Sequence, residues 1–172
     1  FEENSDDLWF NDRTTFNHDV TCATGGCVTA GQPGRIGKAV RFNNVGVLNL
    51  LDASQLDFDA NSSFSIQTWL RTSQADAGLL GKENGNSGYA LRLSGGKVAF
   101  RLNGAVVLTG NTEVNDNQWH HVVAVVDRSS GKASLFIDGV AQGSANVSGN
   151  LSNAGKLQIG GPGYTGLLDE VA

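Results

Sequence analysis

The chain has 172 residues and a net charge of −5, with only 17% charged residues. That is long enough for one closed core, and the charge argues against nucleic acid or an anionic lipid surface as partner. Apolar residues make up 40%, yet no apolar run approaches the ~20 residues that cross a bilayer as a helix, so membrane insertion is not expected. Glycine occurs 23 times and proline twice. Without the three-residue period of collagen, this excess means many tight turns.

In chain order, the first feature is an oxygen-rich segment: Glu2, Glu3, Asn4, Ser5, Asp6 and Asp7, then Asn11-Asp12. Such side chains either ligate a hard cation such as calcium or stay solvated, and the segment alone leaves both readings open. No D-x-D-x-D-G ladder is present, which excludes an EF-hand. Cys22 and Cys27 follow, separated by Ala-Thr-Gly-Gly. The glycine pair lets the chain reverse and brings the two Cβ atoms into disulfide range. Closing so small a ring stabilises by only about 2 kcal/mol. The rival is a zinc half-site with His18 in H-x3-C-x4-C spacing, which offers three ligands and no evident fourth. A disulfide fits an exported, extracellular protein.

From about residue 38 the signals are almost all β. Residues 64–70 alternate Phe64, Ile66 and Leu70 against Ser65 and Gln67, the period of a half-buried strand. Residues 89–93 and 97–102 flank Ser94-Gly95-Gly96, Asn103-Gly104 leads into 105–108, and 133–137 turn through Asp138-Gly139 into 140–141. These turn residues predict three hairpins. Residues 119–127 are apolar in both phases and predict a central strand covered on both sides. Residues 156–159 and 167–171 predict a last pair of strands, and 141–155 a loop or weak edge. The one helical candidate is a single turn at Ala53-Ser54-Gln55-Leu56. A dozen short strands without helices imply an all-β fold of two packed antiparallel sheets. The chain starts at Phe1 without a targeting segment, and residues 166–172 read as a strand that has barely begun. We expect a single module, 1–172, cut from a longer chain.

A sandwich-fold glycosidase needs two carboxylates facing each other across a sugar. Most acids here are aspartates beside turns (Asp52, Asp57, Asp59, Asp76, Asp116, Asp138), the five glutamates are scattered, and adjacent Asp169 and Glu170 point to opposite faces of a strand. No G-x-S-x-G motif occurs. His120 and His121, adjacent in a strand, cannot clamp one metal. The expected arrangement is one core histidine bonded to backbone and one on the outer face. These features imply a non-catalytic protein. Sugar binding would need an exposed ring among Trp9, Trp69, Trp119, Tyr89 and Tyr164. Trp69 and Trp119 read as packing, and Tyr164, in the glycine-rich loop 160–166, as a packing lid.

Six strings stand in an order resembling the laminin-G-like jelly roll of the concanavalin-A-like lectin/glucanase superfamily. Gly34-Arg35-Ile36-Gly37-Lys38-Ala39-Val40-Arg41-Phe42 resembles its G-x-x-G-x-A-x-x-F entry, and residues 63–70 its S-F-[ST]-[IV]-x-x-W-[VIL] strand. Trp119-His120-His121-Val122 resembles its W-H-H-[VI] strand, and Leu135-Phe136-Ile137-Asp138-Gly139 its L-Y-[VI]-D-G hairpin. Leu157-Gln158-Ile159-Gly160 and Leu168-Asp169-Glu170-Val171 resemble its last two motifs. The resemblance implies a two-sheet sandwich and an extracellular binding or adhesion module inside a larger chain. Its partners would be a glycan, a cell-surface or matrix ligand, and neighbouring domains; the alternative is a spacer or accessory domain without a ligand. It also implies a structural calcium ion between the N-terminal segment and the last strand, with Asp169 matching the late ligand and Asp12 the early one.

Overall fold

The structure, a computed structural model, describes residues 1–4, 7, 9–12, 15–16, 18–22, 27–161 and 163–172. Asp6 of the acidic run, the Gly25-Gly26 pair between the cysteines, and Pro162 lie outside them. The strands, numbered in chain order, form two antiparallel sheets. The first runs β1 (Trp9–Phe10), β2 (Val20–Cys22), β5 (Leu48–Leu50), β14 (Leu157–Ile159), β7 (Ala77–Asn84), β8 (Ser87–Ser94), β9 (Lys97–Leu102), β10 (Ala105–Glu113). The second runs β13 (Val140–Asn146), β12 (Lys132–Ile137), β11 (His120–Asp127), β6 (Phe64–Thr72), β15 (Thr165–Asp169), β4 (Lys38–Asn43), β3 (Thr29–Pro33). A single 3-10 turn, Ser54–Leu56, is the one helical element among the described residues.

The core lies between the sheets. Phe64, Ile66, Thr68, Leu70 and Thr72 of β6 are buried while Ser65 and Gln67 are exposed, so the period-two pattern sets the inner face. Opposite stand Leu80, Leu91, Leu93 and Phe100 of the first sheet. The hairpins form as expected. Asn103 and Gly104 take φ of 48° and 75°, Asp138 and Gly139 φ of 52° and 77°, the left-handed pairs that a two-residue turn between twisted strands requires.

Three expectations need correction. β11 is central, between β6 and β12, but is covered on one face only. Val122, Ala124 and Val126 are buried, whereas Val123 and Val125 are half-buried, shielded by same-face neighbours such as Phe136 and Gln67. Residues 156–159 and 167–171 do not pair with each other. β14 lies in the first sheet between β5 and β7, and β15 in the second between β4 and β6. His120 does not bond to backbone. Its ring nitrogens meet Asp138 Oδ2 at 2.8 Å and Asp116 Oδ1 at 3.1 Å, while His121 stacks on Trp69 across the outer face.

Candidate binding site

The two ends of the chain meet at one place on the sandwich. Gln67 of β6 and Ala172 exchange both backbone hydrogen bonds (2.8 and 3.1 Å). The N-terminal segment is tied to the start of β4, where Lys38 N donates to Glu2 Oε1 (3.3 Å) and Lys38 Nζ to Glu2 O (3.0 Å). Beneath these segments, between the sheets, lies a cavity of about 490 Å³. Phe10, Phe58, Tyr89, Ile66 and Leu80 give it apolar walls, and Glu2, Glu3, Asn11, Asp12, Gln67 and Glu170 give it polar groups. Phe58 stacks on Phe64 with centroids 4.0 Å apart, and Tyr89 tilts against both. The Tyr89 hydroxyl donates to Leu56 O (3.1 Å), and burial pushes its phenol well above the ordinary range. Glu3 Oε1 accepts from Asn11 N (3.1 Å). Glu3 Oε2 is buried with no partner among the described residues. A buried acceptor without a partner is unusual and costly.

A buried lysine braces this end. Lys82 of β7 is fully buried, and its ammonium donates to Asp57 Oδ1 (2.7 Å) and to Asn153 O, with Asp52 Oδ1 at 2.8 Å. Asp57 also accepts from Asn153 N (3.0 Å). Burial pulls the Lys82 ammonium down, but its bonds to the two carboxylates outweigh this and hold it above its ordinary value. Three segments are thus fastened together: β7, the stretch carrying Leu56 and Phe58, and the loop before β14. The sequence carries a signal for it, since Lys82 occupies the same strand phase as buried Leu80 with acid-rich turns nearby.

Among the described residues, Asp12 and Asp169 share no hydrogen-bond partner. Asp12 lines the cavity, accepts from His18 N (2.8 Å) and donates its N–H to Asp19 Oδ1 (2.7 Å). Asp169 is fully buried beneath the turn between β3 and β4. Its Oδ2 accepts from Arg35 N (2.8 Å) and Ile36 N (2.9 Å), and its Oδ1 from Glu170 N (2.8 Å). The next residue, Glu170, lies past the end of β15 with a left-handed φ of 49°, and it lines the cavity where Asp169 does not. Among the described residues no group of three or more His, Cys, Asp or Glu side chains is placed to hold a metal ion. Cys22 and Cys27 are joined as a disulfide with Cα atoms 5.3 Å apart, so neither thiolate is free for a zinc half-site with His18.

The turn aspartates act as backbone acceptors. Asp59 receives Asn61 N and Ser62 N, Asp76 receives Gly95 N, and Asp116 receives Gln118 N. Asp127 receives Ser129 N and the hydroxyls of Ser129 and Ser130, bonds that hold its carboxyl down to about 2. Tyr164 is fully buried, donates to Leu167 O (2.9 Å) and packs edge-on against Phe42, which makes it the expected lid. Trp69 lies on the outer face with Arg35 over its ring at 4.9 Å and His121 stacked against it at 4.9 Å. Trp9 is 55% exposed, its indole N–H held by Asp19 Oδ2 at 3.0 Å.

A laminin G family profile, described as the concanavalin A-like lectin/glucanases superfamily, matches residues 46–172. The chain belongs to this superfamily. No curated protein matches it in sequence. Among solved structures, it is similar to the binding domain of Paraclostridial Mosquitocidal Protein 1, with TM-score 0.76 and 16% identity. That match covers 92% of this chain and 44% of the other, so the chain spans less than half of that domain. It is also similar to domain 4 of AbnA, an extracellular GH43 arabinanase from Geobacillus stearothermophilus solved with arabinotriose (TM-score 0.66, 19% identity, 95% and 79% covered). A third is the binding domain of botulinum neurotoxin serotype G (TM-score 0.67, 16% identity, 94% and 45% covered). At these identities the likeness is one of fold. The superfamily profile starts at residue 46, after β4. The cavity therefore joins walls within the matched region, such as Phe58 and Tyr89, to Glu3, Phe10 and Asp12 outside it.

Proposed function

We propose that this laminin-G-like module is a non-catalytic carbohydrate-binding domain of a larger secreted or cell-surface chain. The observation that carries the reading is the end cavity. Flat aromatic rings in its lining suit the apolar face of a sugar ring, and Glu3 Oε2 offers a buried acceptor that a ligand hydroxyl would satisfy. A volume of about 490 Å³ lies within the range of small-ligand sites. The structural relative solved with arabinotriose, matched over 95% of this chain, makes that trisaccharide the first probe. The employment of the turn aspartates as backbone acceptors supports binding rather than hydrolysis. The disulfide supports an extracellular setting.

Titration calorimetry with arabinotriose and a panel of neutral oligosaccharides tests the reading. We expect binding by the wild type, weakened about tenfold in Glu3→Ala through loss of one charge-assisted hydrogen bond. A blank panel favours the spacer reading, and turnover of any oligosaccharide overturns the non-catalytic one. A structural calcium ion bridging Asp12 and Asp169 is a separate proposal. Asp169 fits that role poorly as placed, since its oxygens already accept three backbone N–H groups and keep one lone-pair site, on Oδ1, for a cation. A melting temperature lowered by EDTA in wild type but not in Asp169→Ala supports the bridge, and equal melts in both buffers dismiss it.

A further inference from the structure

A second cleft, of about 320 Å³, lies on the outer face of the seven-stranded sheet and shares no lining residue with the end cavity. Its floor is Leu167 of β15. The register pairs Leu167 with Arg41 of β4 on one side and Arg71 of β6 on the other. The two arginines therefore stand abreast with one strand between them, their Cα atoms about 10 Å apart. Leu167 is only 6% exposed although it faces outward, as expected when arginine stems lie over it.

The guanidinium groups are held but not neutralised. Arg71 Nε donates to Asn117 O (2.9 Å) and Arg41 Nε to Gln32 Oε1 (3.3 Å), both uncharged acceptors. Among the described residues no hydrogen bond or ion pair uses the Nη atoms of either arginine. Arg92 and Arg101, by contrast, share Glu83. None of the described residues lining the cleft is acidic, and the lining includes the exposed hydroxyl residues Ser73 and Thr165. A chain with net charge −5 has acids to spare for pairing, yet it keeps two cations side by side without one, an arrangement that is repulsive unless an anion joins it. Each Nε anchor fixes its fork and leaves the Nη donors for a planar oxyanion.

We propose that this cleft binds the carboxylate of an acidic sugar, so that the module recognises a uronate-containing glycan. The two forks take the carboxylate, and Ser73, Thr165 and the Asn117 amide take ring hydroxyls. The assignment of a sugar rests on the carbohydrate reading above; that of an anion rests on Arg41 and Arg71 alone.

The test is calorimetry with trigalacturonate, arabinotriose and sodium sulfate on wild type, Arg41→Gln, Arg71→Gln and Arg71→Lys, with thermal melts as a folding control. Wild type is expected to bind trigalacturonate, less tightly as salt rises. Each Gln variant should weaken it at least tenfold, and Arg71→Lys should also weaken it because the charge survives without the fork. All variants should melt like wild type and keep any affinity for arabinotriose. No binding of trigalacturonate by wild type, or unchanged binding by the Gln variants, overturns the proposal. Sulfate binding as tightly as the trisaccharide overturns the sugar and leaves a simple anion site. Arabinotriose and the neutral panel all failing while trigalacturonate binds breaks the end-cavity reading and leaves this one standing.

Discussion

The hairpin half of the sandwich and its terminal end are built on different principles. From β6 to β13 the strands follow one another through short turns, and most pairings join neighbours in sequence. The terminal end is assembled from distant pieces. Asp169 bonds Arg35, Lys82 bonds Asp57 beside Asn153, and Ala172 pairs with Gln67. Regular hairpins satisfy their own backbone and bury their own apolar faces. The terminal end contains the larger of the two cavities, and Glu3, whose Oε2 has no partner among the described residues, is in its lining. The binding chemistry proposed for the cavity therefore belongs to the part of the fold that local sequence specifies least.

The largest way to break this contrast is Lys82→Met. It leaves Asp52 and Asp57 facing each other and Asn153 O without its donor. Because both carboxylates are partly exposed, we expect a loss of about 3 kcal/mol, at the low end for breaking a buried pair. For a chain of this size that is a fall in melting temperature of roughly 6–12 °C. Hydrogen exchange should accelerate first around residues 52–58 and 151–155, with the β11–β12 hairpin keeping its protection. Uniform loss of protection would show that the two regions fold as one unit and that the contrast is only topological.

A smaller effect is expected from Cys22→Ser with Cys27→Ser. The ring closes over five residues of sequence separation, so the loss should be about 2 kcal/mol, and it should be confined to the terminal end. Denaturant melts give the magnitude, and intact mass before and after reduction checks the bond itself. A cost of 5 kcal/mol or more would mean that the disulfide organises the whole sandwich.

Much of the hairpin half was legible because its signals are short-range. Asn103-Gly104 and Asp138-Gly139 carry the backbone angles of their turns, and the alternation in residues 64–70 names its own buried face. The disulfide was legible for the same reason. The site was not. Asp169 stood out by position in a motif, but its partners are backbone N–H groups 133 and 134 residues away, and backbone donors leave no mark in sequence. Glu3 was visible only as one acid in an acidic run. The Arg41–Arg71 pair exists only through the β4–β15–β6 register, which joins strands from three parts of the chain. The strand of residues 119–127 misled for a related reason: valines in both phases read as two covered faces, whereas Val123 and Val125 gain their partial cover from cross-strand neighbours.

The smallest expected effect sharpens the contrast by assigning the pH dependence to the hairpin half. His120 is 12% exposed and lies between Asp138 and Asp116, which are 43% and 55% exposed. Burial pulls the imidazolium down, but the hydrogen bonds to Asp138 and Asp116 outweigh it and hold the ring above its ordinary value. A group whose pKa is raised on folding contributes stability that is fully present below its unfolded value, about 6.5, and is lost as pH rises through the folded value. The carboxylate partners are open to solvent, so the contribution should not exceed about 1 kcal/mol. Wild type should then melt slightly higher near pH 6 than near pH 8.5, and His120→Asn should flatten that slope while lowering stability at the acid end. Asp138 also accepts from His121 N (2.8 Å) and starts the turn into β13, so Asp138→Asn is the sharper control. The amide keeps an acceptor for the turn but removes one of the two charges holding the imidazolium, and about half the slope should disappear without loss of the hairpin. A slope unchanged in both variants would show that His120 is not the titrating group.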